Sequence, residues 1–78
     1  LAVVSPRQGQ NIYLDGPTRV LLKASGGTGP TRWWFANGAL LATTPAALPA
    51  TWQPTPGTYT LRLVDNAGAA STVQVRVR

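Results

Sequence analysis

The residues that could perform acid–base or nucleophilic chemistry are few in this chain. The sequence has no histidine, cysteine or glutamate, and its carboxylates are Asp15 and Asp65. Both aspartates lie in turn contexts, where such a side chain commonly caps backbone amides. A hydroxyl needs a base partner to become a nucleophile, and Lys23 with Ser25 matches neither a Ser-x-x-Lys nor a Lys-Thr-Gly motif. We therefore expect no catalytic residues and no enzyme activity in this chain.

The same set of residue types argues against a metal site and a phosphate site. Two distant carboxylates without histidine or cysteine do not assemble a metal site. Residues 26–30, Gly-Gly-Thr-Gly-Pro, resemble a phosphate-binding loop, but the Gly-Lys-Ser/Thr ending is missing and a strand-like segment follows in place of a helix. We interpret this stretch as a flexible connection, and we expect neither a metal nor a cofactor.

The balance of charge is basic, with seven Lys and Arg against two Asp and a formal net charge of +5. Such a balance favours anionic partners. The basic residues are dispersed along the chain, however, which is more typical of a soluble surface than of a nucleic-acid site, although single-strand binders also combine cations with aromatics. No apolar run approaches the roughly 18 residues of a membrane span. We expect one domain over residues 1–78, excised from a longer chain, with no nucleic-acid or membrane contact of its own.

The last third of the chain predicts an antiparallel hairpin. Two runs alternate apolar and polar residues with the period of a half-buried strand. A three-residue loop, Asn66-Ala67-Gly68, pairs Leu61 with Val73 and Tyr59 with Val75, which puts both apolar sets on one face. That loop length requires a left-handed residue at its end, which its glycine supplies.

A second hairpin is predicted around Asn37-Gly38, a strong two-residue turn signal. This turn pairs Trp34 with Leu41 and Phe35 with Leu40. Both faces of the hairpin are then apolar. If one face meets the core, the other leaves a patch that could bind a partner, made of Trp33, Phe35 and Leu40.

The remaining segments are short. Residues 2–4 and 11–14 read as a kinked edge pair, residues 15–17 (Asp-Gly-Pro) as a turn, and residues 19–25 as a strand. Residues 43–49 are expected to be irregular or a poor edge strand, and residues 50–52 to pair briefly. No segment keeps a helical period. The pattern predicts an all-β, small immunoglobulin-like or fibronectin-like antiparallel β-sandwich of about seven short strands.

The chain carries an ordered set of motifs that includes Ser5-Pro6, Val20-x-Leu22-x-Ala24, Trp34-Phe35-x-Asn37-Gly38, Trp52-x-Pro54, Gly57-x-Tyr59-x-Leu61 and Asp65-x-x-Gly68. This set resembles the C-terminal domain of the bifunctional class A penicillin-binding proteins of the 1C type, over nearly the whole chain. Part of the set also suits fibronectin-like and polycystic-kidney-type modules.

The resemblance implies an immunoglobulin-like, non-catalytic domain of a periplasmic, membrane-anchored peptidoglycan synthase, with its glycosyltransferase and transpeptidase upstream. In the related immunoglobulin pattern a buried strand tryptophan packs near a leucine seven residues later, which matches Trp34 and Leu41. Trp52 and Tyr59 are expected to serve the scaffold. The role of the domain itself is left open by the resemblance.

Two hypotheses for function follow. The first is a protein-docking module that binds the upstream transpeptidase domain or another envelope protein, because aromatic residues and arginine together are typical of interface hot spots. The second is a carbohydrate-binding module that stacks peptidoglycan glycan strands on Trp33. The candidate binding residues are Trp33, Phe35, Leu40, Arg62 and Arg76.

Overall fold

A computed structural model describes residues 1–16 and 18–78 of the chain, and these residues contain strands and no helix. The predicted turn at residues 15–17 includes residue 17, which lies outside the described residues. The strands are β1 (Ala2–Ser5), β2 (Asn11–Ile12), β3 (Val20–Ser25), β4 (Thr31–Ala36), β5 (Ala39–Pro45), β6 (Ala50–Trp52), β7 (Gly57–Val64) and β8 (Ala70–Val77).

The strands form two facing sheets, as the prediction of a β-sandwich requires. One sheet has the order β1-β3-β6 and the other β2-β8-β7-β4-β5. β1 and β2, expected as one kinked edge pair, are edges of different sheets, because the chain crosses between the sheets after Ser5. β2 pairs with β8 in parallel, whereas the other described pairs are antiparallel. Residues 1–16 and 18–78 contain eight strands, close to the predicted number of about seven.

Inward residues from both sheets make one apolar core. Alternate positions of a strand face opposite sides, and the strand patterns predicted from the sequence place the larger apolar residues inside. Burying one such side chain stabilises the fold by about 1.5–3 kcal/mol. Trp52 meets Tyr59 edge to face, with ring centroids 4.8 Å apart. The buried core residues are Leu22, Trp34, Ala36, Ala50, Trp52, Leu61, Leu63, Val73, Val75 and Val77.

The closing hairpin, β7 with β8, has the predicted register. Leu61 lies opposite Val73 and Tyr59 opposite Val75. Gly68 ends the loop with a φ of +82°, the left-handed conformation that the loop length demanded. The prediction that a three-residue loop brings both apolar sets to one face is confirmed.

The aromatic hairpin, β4 with β5, is only partly as predicted. Phe35 lies opposite Leu40, but Trp34 lies opposite Ala42 because the register shifts between Trp34 and Phe35. The predicted pairing of Trp34 with Leu41 is therefore wrong. A β-bulge adds one residue to a strand, and here both Leu41 and Ala42 pack against the core.

The strand after the bulge extends into residues 43–49, for which an irregular segment or a poor edge strand was predicted. β5 continues to Pro45, opposite Thr31, as an edge strand, so the first part of residues 43–49 is regular. An edge tolerates proline because one side of its backbone has no ladder partner. Residues 50–52 form β6 and pair with β3, as expected. Across residues 1–16 and 18–78, no helix with the length and apolar character of a membrane span is found.

Candidate interaction surface

The outer face of the five-stranded sheet brings the predicted aromatic and cationic residues onto neighbouring strands. Trp33 of β4 lies opposite Val64 of β7, and Phe35 lies opposite Arg62. Arg62 in turn lies opposite Thr72 of β8. Because Trp34 between the two aromatics is only 1% exposed, Trp33 and Phe35 face away from the core. The predicted outward direction of both side chains is therefore correct.

A shallow groove crosses this face beside Phe35. Its volume is about 560 Å³, and Phe35, Arg62, Val64 and Thr72 contribute to its lining. Phe35 and Val64 are half-buried while Arg62 is exposed. Trp33 is half-buried and is not part of the lining. The groove thus offers a partly covered apolar base with an exposed guanidinium beside it.

The other two predicted residues differ in their relation to the groove. Leu40 lies opposite Phe35 and is 56% exposed, so it extends the apolar surface towards the edge strand β5. Arg76 lies opposite Thr58, four positions along β8 from Thr72 and about 13 Å away at the usual rise of a strand. The structure therefore groups Trp33, Phe35, Leu40 and Arg62 but places Arg76 at the far end of the same face.

This face is electrostatically one-sided. Arg62, Arg76 and Arg78 are exposed, and the five strands of the sheet contain no aspartate or glutamate. Arg62 and Arg76 lie about 13 Å apart along their strands, beyond the Debye length of roughly 8 Å at physiological salt, so each acts on an approaching partner separately. The surface is therefore complementary to carboxylates that lie beside apolar groups.

Asp65 is committed to the scaffold, as its turn context predicted. Its Oδ1 accepts hydrogen bonds from the amides of Ala67 and Ala69, each at 2.9 Å, and its Oδ2 accepts one from Thr28 at 2.9 Å. Burial acts to raise the pKa of Asp65, but these three amides and the positive charge of Arg32 outweigh it and hold the pKa below its ordinary value of 3.8. This carboxylate is a fixed acceptor for amides that order two loops, and it suits that role better than proton transfer.

Sequence reasoning missed the role of Arg32. Its side chain is 4% exposed and donates hydrogen bonds to four backbone carbonyls, those of Gly26, Thr28, Gly29 and Thr31. The interpretation of residues 26–30 as a flexible connection overlooked these bonds, which tie the loop to β4. The two-residue period of β4 could have revealed this role. Trp34 and Ala36 face inward, and Arg32 has the same spacing, so its side chain faces inward too.

Trp52 and Tyr59, which the sequence assigned to the scaffold, occupy structural positions. Trp52 is buried in the core, and the hydroxyl of Tyr59 donates a 2.7 Å hydrogen bond to the carbonyl of Thr55. A tyrosine that anchors a corner in this way is a feature of immunoglobulin-like sandwiches. Among the described residues there is no group of three or more histidine, cysteine, aspartate or glutamate side chains that could hold a metal ion.

The fold is that of a fibronectin-like or immunoglobulin-like β-sandwich module. The structure is similar to fibronectin(III)-like modules of Clostridium thermocellum CbhA, with a TM-score of 0.69 and 16% identity over 99% of this chain and 94% of that one. At that identity the similarity concerns the fold alone. Comparison with curated protein sequences finds no match.

The sequence identifies the family to which the chain belongs. The model of the Penicillin-Binding Protein C-terminus Family matches residues 1–77, and the chain belongs to this family. The expected relation to penicillin-binding proteins is therefore confirmed, while the narrower resemblance to the 1C type stays a prediction. Family and fold together indicate an accessory module of a penicillin-binding protein, a class with a role in the cell wall and the periplasm.

Proposed function

We propose that this domain is a docking module of a peptidoglycan synthase that is anchored in the inner membrane and works in the periplasm. The docking surface is the outer face of the five-stranded sheet around Trp33, Phe35, Leu40 and Arg62, with Arg76 as a peripheral contact. The observation that carries the proposal is the groove in which half-buried Phe35 lies beside exposed Arg62. Aromatic residues and arginine dominate the energy of protein interfaces.

The chemistry of the face indicates the partner. Its cations have no carboxylate neighbours on the five strands, so a protein surface with aspartate or glutamate beside apolar side chains is the complementary occupant. The transpeptidase domain of the same synthase is the first candidate to supply that surface, and another envelope protein is the alternative source. Binding by charge complementarity implies that affinity falls as salt is raised.

The test is an affinity capture from envelope extract with matched variants. Trp33→Ala with Arg62→Ala removes an aromatic and a cation from the docking surface. Arg19→Ala with Leu21→Ala removes an exposed cation and a leucine that is 47% exposed from the three-stranded side, and it serves as the control. We expect at least a tenfold loss of affinity for the first variant and none for the control, as the loss of a hot spot predicts.

Two further experiments separate lost binding from lost stability, and a protein partner from a glycan. Leu40→Ser with Arg62→Gln removes only exposed groups, so it separates lost binding from lost stability. The purified upstream transpeptidase domain and soluble wall fragments are then titrated separately against the ¹⁵N-labelled chain. Retention of every captured partner by the Trp33→Ala, Arg62→Ala variant would refute docking. Shifts of outer-face amides with wall fragments, and none with protein, would favour the glycan-binding alternative.

A further inference from the structure

A second cavity lies on the other side of β4 from the docking surface, between the two sheets. Its volume is about 190 Å³. Lys23 and Ala24 line it from β3, Arg32 and Trp34 from β4, and residues 46–49 from the connection that follows β5. An engineered apolar cavity of about 150 Å³ accommodates benzene, so this space can hold a small chemical group.

Two basic residues are among those that line the cavity. Arg32 and Lys23 contribute to its lining and no carboxylate does. The four hydrogen bonds of Arg32 come from Nη1 and Nη2 and go to neutral carbonyls, and within the described residues its Nε–H has no acceptor. A guanidinium with an unused donor is a strong recognition element for a carboxylate. The remaining walls, formed by Trp34 and the small or apolar residues 46–49, suit an apolar group attached to that anion.

The end of β3, the middle strand of its sheet, runs beside the cavity. β3 pairs with β6 from Val20 to Leu22 and then continues to Ser25. From Lys23 onward, the side of β3 that faces the cavity has no strand partner among the described residues. Unpaired backbone groups at a strand edge can pair with an extended peptide.

We propose that this cavity binds the terminal carboxylate of an extended peptide whose last side chain is small and apolar. The carboxylate binds near Arg32 and Lys23, the last side chain occupies the space against Trp34 and residues 46–49, and the peptide backbone follows β3 beyond Leu22, where its pairing with β6 ends. Strand addition combined with capture of a chain terminus is an established mode of peptide recognition. This site is separate from the docking surface, so it stands or falls independently of the proposed function.

The test is an NMR titration of the ¹⁵N-labelled 78-residue chain with three probes. N-acetyl-alanyl-alanine presents the carboxylate and a small side chain, its C-terminal amide lacks the charge, and acetate lacks the peptide. We expect the first probe to shift the Nε–H of Arg32 and the amides of Ala24 and residues 46–48. The amide form should bind at least tenfold more weakly, because it loses a charge-assisted hydrogen bond.

Variants locate the binding to this cavity. Ala47→Phe places a ring at an exposed position of the lining and should abolish the shifts. Lys23→Gln should weaken binding about two- to fivefold, as for an exposed ion pair, whereas Arg19→Gln removes an exposed cation outside the lining and should have no effect. Equal binding of the amide, equal binding of acetate, unchanged binding by Ala47→Phe or no shift at tens of millimolar probe would each overturn the proposal.

Discussion

Replacing Arg32 by methionine tests whether this buried guanidinium holds the glycine-rich loop. The substitution keeps a long apolar side chain in place but removes donors to four carbonyls. Replacing a buried charged residue by a hydrophobic one can leave the free energy of unfolding unchanged when its charged partners are replaced as well. Here the loop carbonyls and Asp65 remain, so we expect Arg32→Met to be destabilising.

The magnitude follows from the surroundings of each acceptor. A hydrogen bond from a charged donor contributes about 1.5–3 kcal/mol. Gly26, Thr28 and Gly29 are exposed, so water can replace most of the loss at their carbonyls, whereas Thr31 is half-buried and loses more. We expect a total loss of about 2–4 kcal/mol, which is a large part of the roughly 4–12 kcal/mol typical of a chain of this length.

Urea unfolding followed by tryptophan fluorescence measures this loss. Arg62→Met is the matched control, because it removes the same group from an exposed position of the neighbouring strand β7, where about 0.5 kcal/mol or less is expected. Hydrogen exchange at the amides of Thr28 and Thr31 reports the loop directly and should accelerate in Arg32→Met alone. If the two variants unfold at the same urea concentration and exchange at the same rate, Arg32 does not hold the loop.

Three further predictions concern the core, the loop and acid. Trp34→Ala should cost about 3–5 kcal/mol and leave the isolated domain largely unfolded; a cooperative melt near the wild-type temperature would contradict the buried position of this ring. Gly29→Ala should cost more than about 2 kcal/mol in urea unfolding, because a Cβ there would lie 2.5 Å from the side chain of Asn66 and the φ is +84°. The control is Gly9→Ala, where the φ is +76° with nothing within 4 Å, and equal losses would refute the contact. The lowered pKa of Asp65 means that its stabilising effect is complete above its unfolded pKa and is lost as pH falls through the folded value. Thermal melts from pH 6 down to pH 2 should therefore show a steeper loss for wild type than for Asp65→Asn, and parallel curves would show that this carboxylate does not stabilise the fold.

The local sequence pattern predicted the register of the closing hairpin correctly but that of the aromatic hairpin only in part. In the closing hairpin the loop length and two alternating runs permit one register that buries both apolar sets, so Leu61 opposite Val73 follows directly. In the aromatic hairpin the same reasoning placed Phe35 opposite Leu40 but missed the bulge that follows. Leu41 and Ala42 are both apolar, so their pattern does not reveal that one residue is added to the strand.

The proposed docking surface was likewise predicted only in part. The period of β4 indicated that Trp33 and Phe35 face outward, and the neighbouring β7 supplied Arg62 as expected. How far these rings are covered depends on β5 and β7 on either side, which is why exposure and the shape of the groove could not be anticipated. Arg76 was included because its strand position faces outward, but its distance from the groove depends on how far along β8 it lies.

Residues 26–30 and Asp65 show most clearly which features follow from the sequence and which follow from the tertiary structure. The sequence by itself determined an all-β domain, the direction of the residues in β7 and β8 and the capping role of Asp65, because these depend on residue type and local period. Only the tertiary structure decided that Asp65 meets the same glycine-rich loop as Arg32, since the hydrogen bond from Thr28 to Asp65 joins residues 37 positions apart. Such contacts depend on how the two sheets and their connections pack, and no local pattern in the chain encodes that distance.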